Sequence, residues 1–182
     1  MGVSMGGHGA LAIAFRHPDR FVAVAAHSAA IFPADPDNLS PRFQRVLRSW
    51  GKRLGLDEVF GDPFDKELWQ RSNPLHLAAT IDPDELAGLQ IYFDCGTRDR
   101  YGFDRQNREL HRILERRGIR HTFRLIEGGR HGWRSGYNRA QLPHSLAFVG
   151  RAFARARGRA GLEGLLGPRG GREAEPGEGK RR

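Results

Sequence analysis

Residues Gly2-Val3-Ser4-Met5-Gly6 spell Gly-x-Ser-x-Gly at the very start of the chain, and Gly7-His8-Gly9-Ala10-Leu11 follows at once. A serine so flanked sits on a sharp turn between a strand and a helix. Small neighbours let the backbone segments close in while the hydroxyl stays exposed. From Met5 to Phe15 the residues are small and apolar, and His17-Pro18-Asp19-Arg20 ends the run, as expected of a helix packed tightly beneath a sheet. Almost no chain precedes Ser4, so the sequence predicts that the strand which normally holds such an elbow is lost.

The rest of the chain alternates between two periods. Phe21 to Ala26 is a short continuous apolar run and reads as a buried parallel strand. Ser40-Pro41 offers a capping hydroxyl and a proline suited to a first helical turn, and Phe43, Val46, Leu47, Trp50 and Leu54 then recur at helical spacing. Phe60 to Leu86, broken by Asp62-Pro63, Asn73-Pro74 and Asp82-Pro83, reads as short helices and turns able to rim a site. Leu89 to Cys95 is a second strand, Asp104 to Arg117 a helix presenting Leu110, Ile113 and Leu114, and His121 to Ile126 a third strand. A last helix is expected from about Ala140 to Arg155, with Leu142, Leu146, Val149 and Phe153 inward. Alternating strands and helices imply an α/β fold with a parallel sheet.

Length allows one domain, expected over residues 1–156, with a disordered basic tail over 157–182 rich in glycine, arginine and glutamate. Lys and Arg number 30 against 21 Asp and Glu, a net charge of +9. A pI near 10.8 by itself raises nucleic acid as a partner. The segment from Arg151 onward, with nine basic and four acidic residues, carries more than half of that excess. The charge therefore reads as a property of the tail, and no nucleic-acid partner is expected. Cys95 is the only cysteine, so no intrachain disulfide can form. No apolar run approaches the roughly 18 residues of a membrane span, and no signal peptide precedes the motif. The expectation is a cytoplasmic protein with no membrane partner; the sequence is silent on oligomeric state.

A serine hydroxyl is a weak nucleophile until a base takes its proton, and the base needs a third group to fix its tautomer. The chain offers candidates in loops directly after strands: Asp99 after Leu89 to Cys95, and His131 after His121 to Ile126. Asp94, inside a strand, reads as a satisfied buried carboxylate, and Asp104 as a helix cap. His144 lies within the last helix, away from any strand end. His8, one turn into the elbow helix, reads as a packing or hydrogen-bonding residue. The remaining histidines show no metal-site spacing, so no metal is expected. Trp50, Trp69 and Trp133 read as core or rim, with Trp133 able to line an acyl pocket, and Cys95 reads as a small apolar core residue.

Four segments together carry a family resemblance: Gly2 to Ala10; Phe60-Gly61-Asp62-Pro63 with Asn73-Pro74-Leu75; Asp94 to Asp99; and Gly128-Gly129-Arg130-His131-Gly132-Trp133. Over about Met1 to Phe153 the chain resembles the putative esterase family of α/β hydrolases, which includes esterase D type enzymes and their mycolyltransferase relatives. The resemblance implies the C-terminal part of an α/β-hydrolase fold, from the elbow onward, with a mainly parallel sheet flanked by helices. It further implies hydrolysis of small-molecule carboxylic esters or thioesters through an acyl-serine intermediate, with no cofactor. Ser4 is then the nucleophile, Asp99 the acid, His131 the general base, and the Met5 backbone N–H an oxyanion donor. The second donor of such enzymes comes from a loop after an early strand, a place no residue here fills. Two alternatives follow: a catalytically incomplete fragment lacking the N-terminal strands and that loop, or an acyltransferase. Arg130, between the glycine pair and His131, departs from the commoner Gly-Gly-His form.

Overall fold

The computed structural model describes residues 1–41, 43–45, 47, 49, 55–61, 63–132 and 136–166. Four parallel strands, β1 (Gly2–Val3), β2 (Ala23–His27), β3 (Gln90–Gly96) and β4 (His121–Ile126), lie side by side in chain order. Between them run α1 (Met5–Arg16), α2 (Leu56–Phe60), α3 (Lys66–Arg71), α4 (Pro74–Thr80) and α5 (Phe103–Arg116), and α6 (Tyr137–Leu166) closes the chain. The parallel α/β architecture is as the sequence implied. The strand expected to be lost is present in a short form: Gly2 and Val3 pair with Ala26 and His27 of β2.

The main core fills the face of the sheet covered by α1, α4 and α5. Leu11 and Phe15 of α1 meet Val24 and Ala26 of β2, Ile91 and Phe93 of β3, and Leu110 and Leu114 of α5. The alternation Val24/Ala26 and Ile91/Phe93 is the period of two that sends one side of each strand inward. Burying each of the larger side chains stabilises by about 1.5–3 kcal/mol. α1 forms although Gly6, Gly7 and Gly9 occupy its first two turns, where each glycine costs about 1 kcal/mol against alanine. Gly7 compensates by close packing: a β-carbon there would stand 3.1 Å from the Cα of Ala29.

Asn73 caps α4 by accepting from the Leu75 N–H at 2.9 Å, and its amide reaches the Phe32 and Pro33 carbonyls, which ties the middle segment to the loop after β2. Of the helix expected after Ser40, residues 41, 43–45, 47 and 49 are helical, and Ser40 Oγ accepts from the Phe43 N–H. Val46, Trp50 and Leu54 lie outside the described residues, as does Trp133.

The opposite face of the sheet is closed by α6, and there the expected inward residues differ. Leu146 and Phe153 are about half exposed, while Asn138, Gln141, Ser145 and Ala152 are buried. A polar network takes the place of an apolar stripe. Asp94, wholly buried, accepts from His27 Nδ1 at 2.8 Å, from the Tyr92 hydroxyl at 2.8 Å and from the Tyr137 hydroxyl at 2.5 Å. His27 Nε2 meets Ser145 Oγ at 2.9 Å. Burial and the Asp94 charge push both phenols well above the usual tyrosine range, so they remain protonated donors. α6 begins earlier than expected, at Tyr137, and runs past Arg155 to Leu166. The tail expected to be disordered is thus helical in its first part; residues 167–182 lie outside the described residues. Among the described residues, no helix is long and apolar enough to cross a membrane.

The polar layer and the sheet edge can each be tested by unfolding. Asp94→Ala leaves three buried donors without an acceptor and should lower the unfolding free energy by about 3–5 kcal/mol in urea titrations; a loss under about 1 kcal/mol would contradict the network. At the sheet edge, His111 Nδ1 and His121 Nε2 are 2.8 Å apart, His111 Nε2 is 3.5 Å from Glu115, and His121 stacks on Phe93. Burial, with a smaller contribution from His111, lowers the His121 pKa, so the folded state favours its neutral form. That contribution is fully present above the unfolded-state value near 6.5 and is lost as pH falls below it. Urea midpoints should therefore fall between pH 7.5 and pH 5.5, and by less in His121→Phe.

Candidate active site

The elbow is a strained turn. Ser4 has φ 57° and ψ −120°, a conformation a non-glycine residue holds only when its surroundings enforce it. Three hydrogen bonds do so: the Ser4 N–H donates to His27 O at 2.9 Å, and Ser4 O accepts from the N–H groups of His8 at 3.0 Å and Ala30 at 2.9 Å. Gly2 is required sterically, since a β-carbon there would fall 2.0 Å from Gly6 O. At Gly6 a β-carbon would meet nothing within 4 Å among the described residues, so in this turn Gly2 and Gly7 make the close approaches.

Asp99 and His131 are brought to Ser4 by the loops after β3 and β4. His131 Nε2 lies 3.0 Å from Ser4 Oγ, and His131 Nδ1 lies 2.7 Å from Asp99 Oδ2. The Asp99 side chain is fully buried and that of His131 nearly so. Asp99 Oδ1 accepts from the Tyr101 N–H at 2.8 Å, which fixes the carboxylate plane. With the carboxylate accepting at Nδ1, the imidazole proton resides there and the Nε2 lone pair faces the Ser4 hydroxyl. The Tyr101 ring meets the imidazole edge-on, centroids 4.7 Å apart, and Phe103 packs 5.7 Å away, so the ring is wedged as well as bonded.

The two loops are also laced to each other. The Arg98 N–H donates to Gly129 O at 2.8 Å, and the Gly128 N–H donates to Thr97 Oγ1 at 2.9 Å. This lacing demands glycine at position 96, where a β-carbon would stand 2.2 Å from Gly129 O.

The rival residues are separated from this group. Asp94 is committed to the network under α6. Asp104 lies within the first turn of α5, and the capping position expected for it is held by Gly102, in the left-handed region at φ 78°. His144 is exposed on α6. His8 is engaged at both ring nitrogens, by Ala30 O at 3.1 Å and Ser72 O at 3.0 Å, and burial lowers its pKa. The Cys95 thiol, buried beside Asp99, is pushed far up. Sequence reasoning missed Tyr101 and Phe103 as the seat of His131; their aromatic character just after Asp99 was the available signal.

A family model described as Putative esterase matches residues 1–149. The chain belongs to this esterase family. Among solved structures, a ferulic acid esterase superposes with a TM-score of 0.59 at 26% identity, over 84% of this chain and 50% of its own. An S-formylglutathione hydrolase from Agrobacterium tumefaciens superposes with a TM-score of 0.55 at 22% identity, over 81% of this chain and 48% of its own. MPT51 of Mycobacterium tuberculosis gives 0.62 at 19% identity, over 82% and 58%. At these last two identities the likeness carries the fold alone. The esterase chain thus spans about half the length of the solved structures it matches. Comparison with curated protein sequences returns no match.

The glycine lacing gives a test of how the esterase loops are held. Gly96→Ala should cost about 1–3 kcal/mol of stability through overpacking, read as a lowered urea midpoint. A midpoint equal to the parent's would show that the Asp99 and His131 loops do not depend on this contact.

Proposed function

We propose that the chain carries the catalytic centre of a serine hydrolase that cleaves carboxylic esters or thioesters through an acyl-serine intermediate. The observation that carries this reading is His131 standing between Ser4 Oγ at 3.0 Å and the buried Asp99 carboxylate at 2.7 Å. In the first half-reaction Ser4 Oγ attacks the acyl carbon while its proton passes to His131 Nε2. The bond from the acyl carbon to the leaving oxygen or sulfur then breaks, and His131 returns the proton to that atom. Water repeats the sequence in the second half, with His131 taking its proton and Ser4 Oγ leaving as the hydroxyl. Asp99 holds the imidazole in the required tautomer and offsets the charge of the imidazolium.

The carbonyl oxygen gains negative charge in both tetrahedral states. Met5 is the first residue of α1, so its N–H is one of the helix donors without an intrahelical carbonyl. It belongs to the residue after the nucleophile, where an oxyanion donor is needed, and the positive end of the helix adds to its effect. Membership of the esterase family and the ferulic acid esterase likeness support ester chemistry; the acyl-serine route rests on the geometry.

Ser4→Ala and His131→Ala should each reduce kcat for p-nitrophenyl ester hydrolysis by at least about 10³-fold, and Asp99→Asn by about 10⁴-fold. These are to be measured on folded protein with the acyl-enzyme trapped and weighed by mass spectrometry. Hydrolysis by Ser4→Ala at the parent rate would sink the assignment.

A further inference from the structure

A cleft of about 300 Å³ opens where the N-terminal ends of β3 and β4 meet α6. The loops that carry Asp99 and His131 leave the opposite ends of the same two strands. At about 3.3 Å per residue, the length of β4 holds the cleft roughly 15 Å from the edge where those loops begin. It is therefore a place apart from the triad.

On α6 the positions 148, 151, 152 and 155 share one face, because they recur at the helical spacings of three, four and seven. Ala152 and Ile91 are buried and give the cleft an apolar floor together with Phe148, whose ring lies 5.5 Å from that of Tyr92. Arg151 and Arg155 border it from the helix, and Arg120 borders it from the residue before β4.

The charge of this rim is unbalanced. No carboxylate lines the cleft. Arginines on other helices find acids, with Arg112 and Arg116 both reaching Glu109 and Arg71 reaching Glu67. Arg120, Arg151 and Arg155 make no ion pair and no side-chain hydrogen bond among the described residues. Like charges four apart on a helix work against it, so Arg151 and Arg155 cost the fold something that a bound anion would offset.

A guanidinium presents a planar fork of N–H donors that matches two oxygens of one phosphate. Three such groups around one concavity suit a ligand that concentrates several negative charges and many acceptor oxygens in a compact body. The Gln90 amide and the Thr122 hydroxyl, also without a side-chain hydrogen bond among the described residues, add neutral donors. His121 adds none, since its ring nitrogens are engaged by Ile119 O and His111.

We propose that this cleft binds a diphosphate group through Arg120, Arg151 and Arg155. Free inorganic pyrophosphate and a nucleoside diphosphate share that chemistry, and the apolar floor at Ile91 and Phe148 is where the organic part of the latter would lie. The site owes nothing to the esterase reading, because no triad residue takes part.

Isothermal titration calorimetry of the full chain at constant ionic strength tests the assignment, with pyrophosphate, ADP, adenosine and citrate as probes. Pyrophosphate or ADP should bind with a Kd below about 1 mM, and adenosine should not bind. Arg151→Gln with Arg155→Gln should weaken that binding at least about tenfold, and Arg120→Gln likewise. Arg16→Gln with Arg20→Gln, which removes equal charge from exposed positions at the end of α1 and just after it, should bind as the parent does, and so should Ser4→Ala. ADP bound more tightly than pyrophosphate, with Phe148→Ala weakening ADP alone, assigns a diphosphate ester. Equal or tighter binding of pyrophosphate assigns the inorganic ion. Failure of both probes to bind below about 1 mM overturns the proposal, as does citrate bound as tightly as either. Cleft variants no weaker than the charge-matched control overturn it too. Single-stranded RNA held more tightly than ADP through the same arginines would give the face to nucleic acid instead.

Discussion

Everything at the candidate site depends on the hydrogen bond from the Ser4 N–H to His27 O, with its companions from His8 and Ala30 to Ser4 O. Residues rarely hold φ near 57° with ψ near −120°, and strain of this kind costs of order 1–3 kcal/mol. The surrounding bonds meet that cost and tie the serine to β2 on one side and to α1 on the other. Once the elbow is anchored to β2, the parallel register carries its position across to β3 and β4. Those strands end where Asp99 and His131 begin their loops.

His27 joins the elbow to the rest of the molecule. Its carbonyl receives the Ser4 N–H, and its ring reaches Asp94 and Ser145 on the far face of the sheet. The described residues therefore contain two Ser-His-Asp arrangements of nearly equal dimensions. In one, His27 and Asp94 are almost fully covered and Asp94 also accepts from two phenols, so the group serves as a polar clamp on α6. In the other, His131 stands in a loop after its strand, and its Nε2 faces a serine on a strained elbow. The strained backbone at Ser4 and the loop setting of His131, not the identity of the three side chains, set the second group apart from the clamp.

Sequence alone made the elbow, the α/β alternation and the triad candidates legible. Small residues at 2, 6 and 7 admit few turns, apolar runs of strand length mark β2 to β4, and Asp99 and His131 follow strands directly. The bounds of β4 agree to the residue with the pattern, whereas β2 is shifted toward its C-terminal end because His27, a polar residue, completes the strand. The last helix departs from its expected inward face for the same cause: its buried side carries Asn138, Gln141 and Ser145, which periodicity of apolar residues cannot reveal.

The local pattern of side chains thus determined which residues could take part in the chemistry and in what order along the chain. Only the tertiary structure decided that His131 meets Ser4 and Asp99 within hydrogen-bond distance, that Asp94 belongs elsewhere, and that Tyr101 and Phe103 wedge the imidazole. The reason is physical. Propensity and periodicity act over neighbouring residues, while the contact that joins Ser4 to His131 spans 127 positions and exists only once the sheet register has brought the strand ends together.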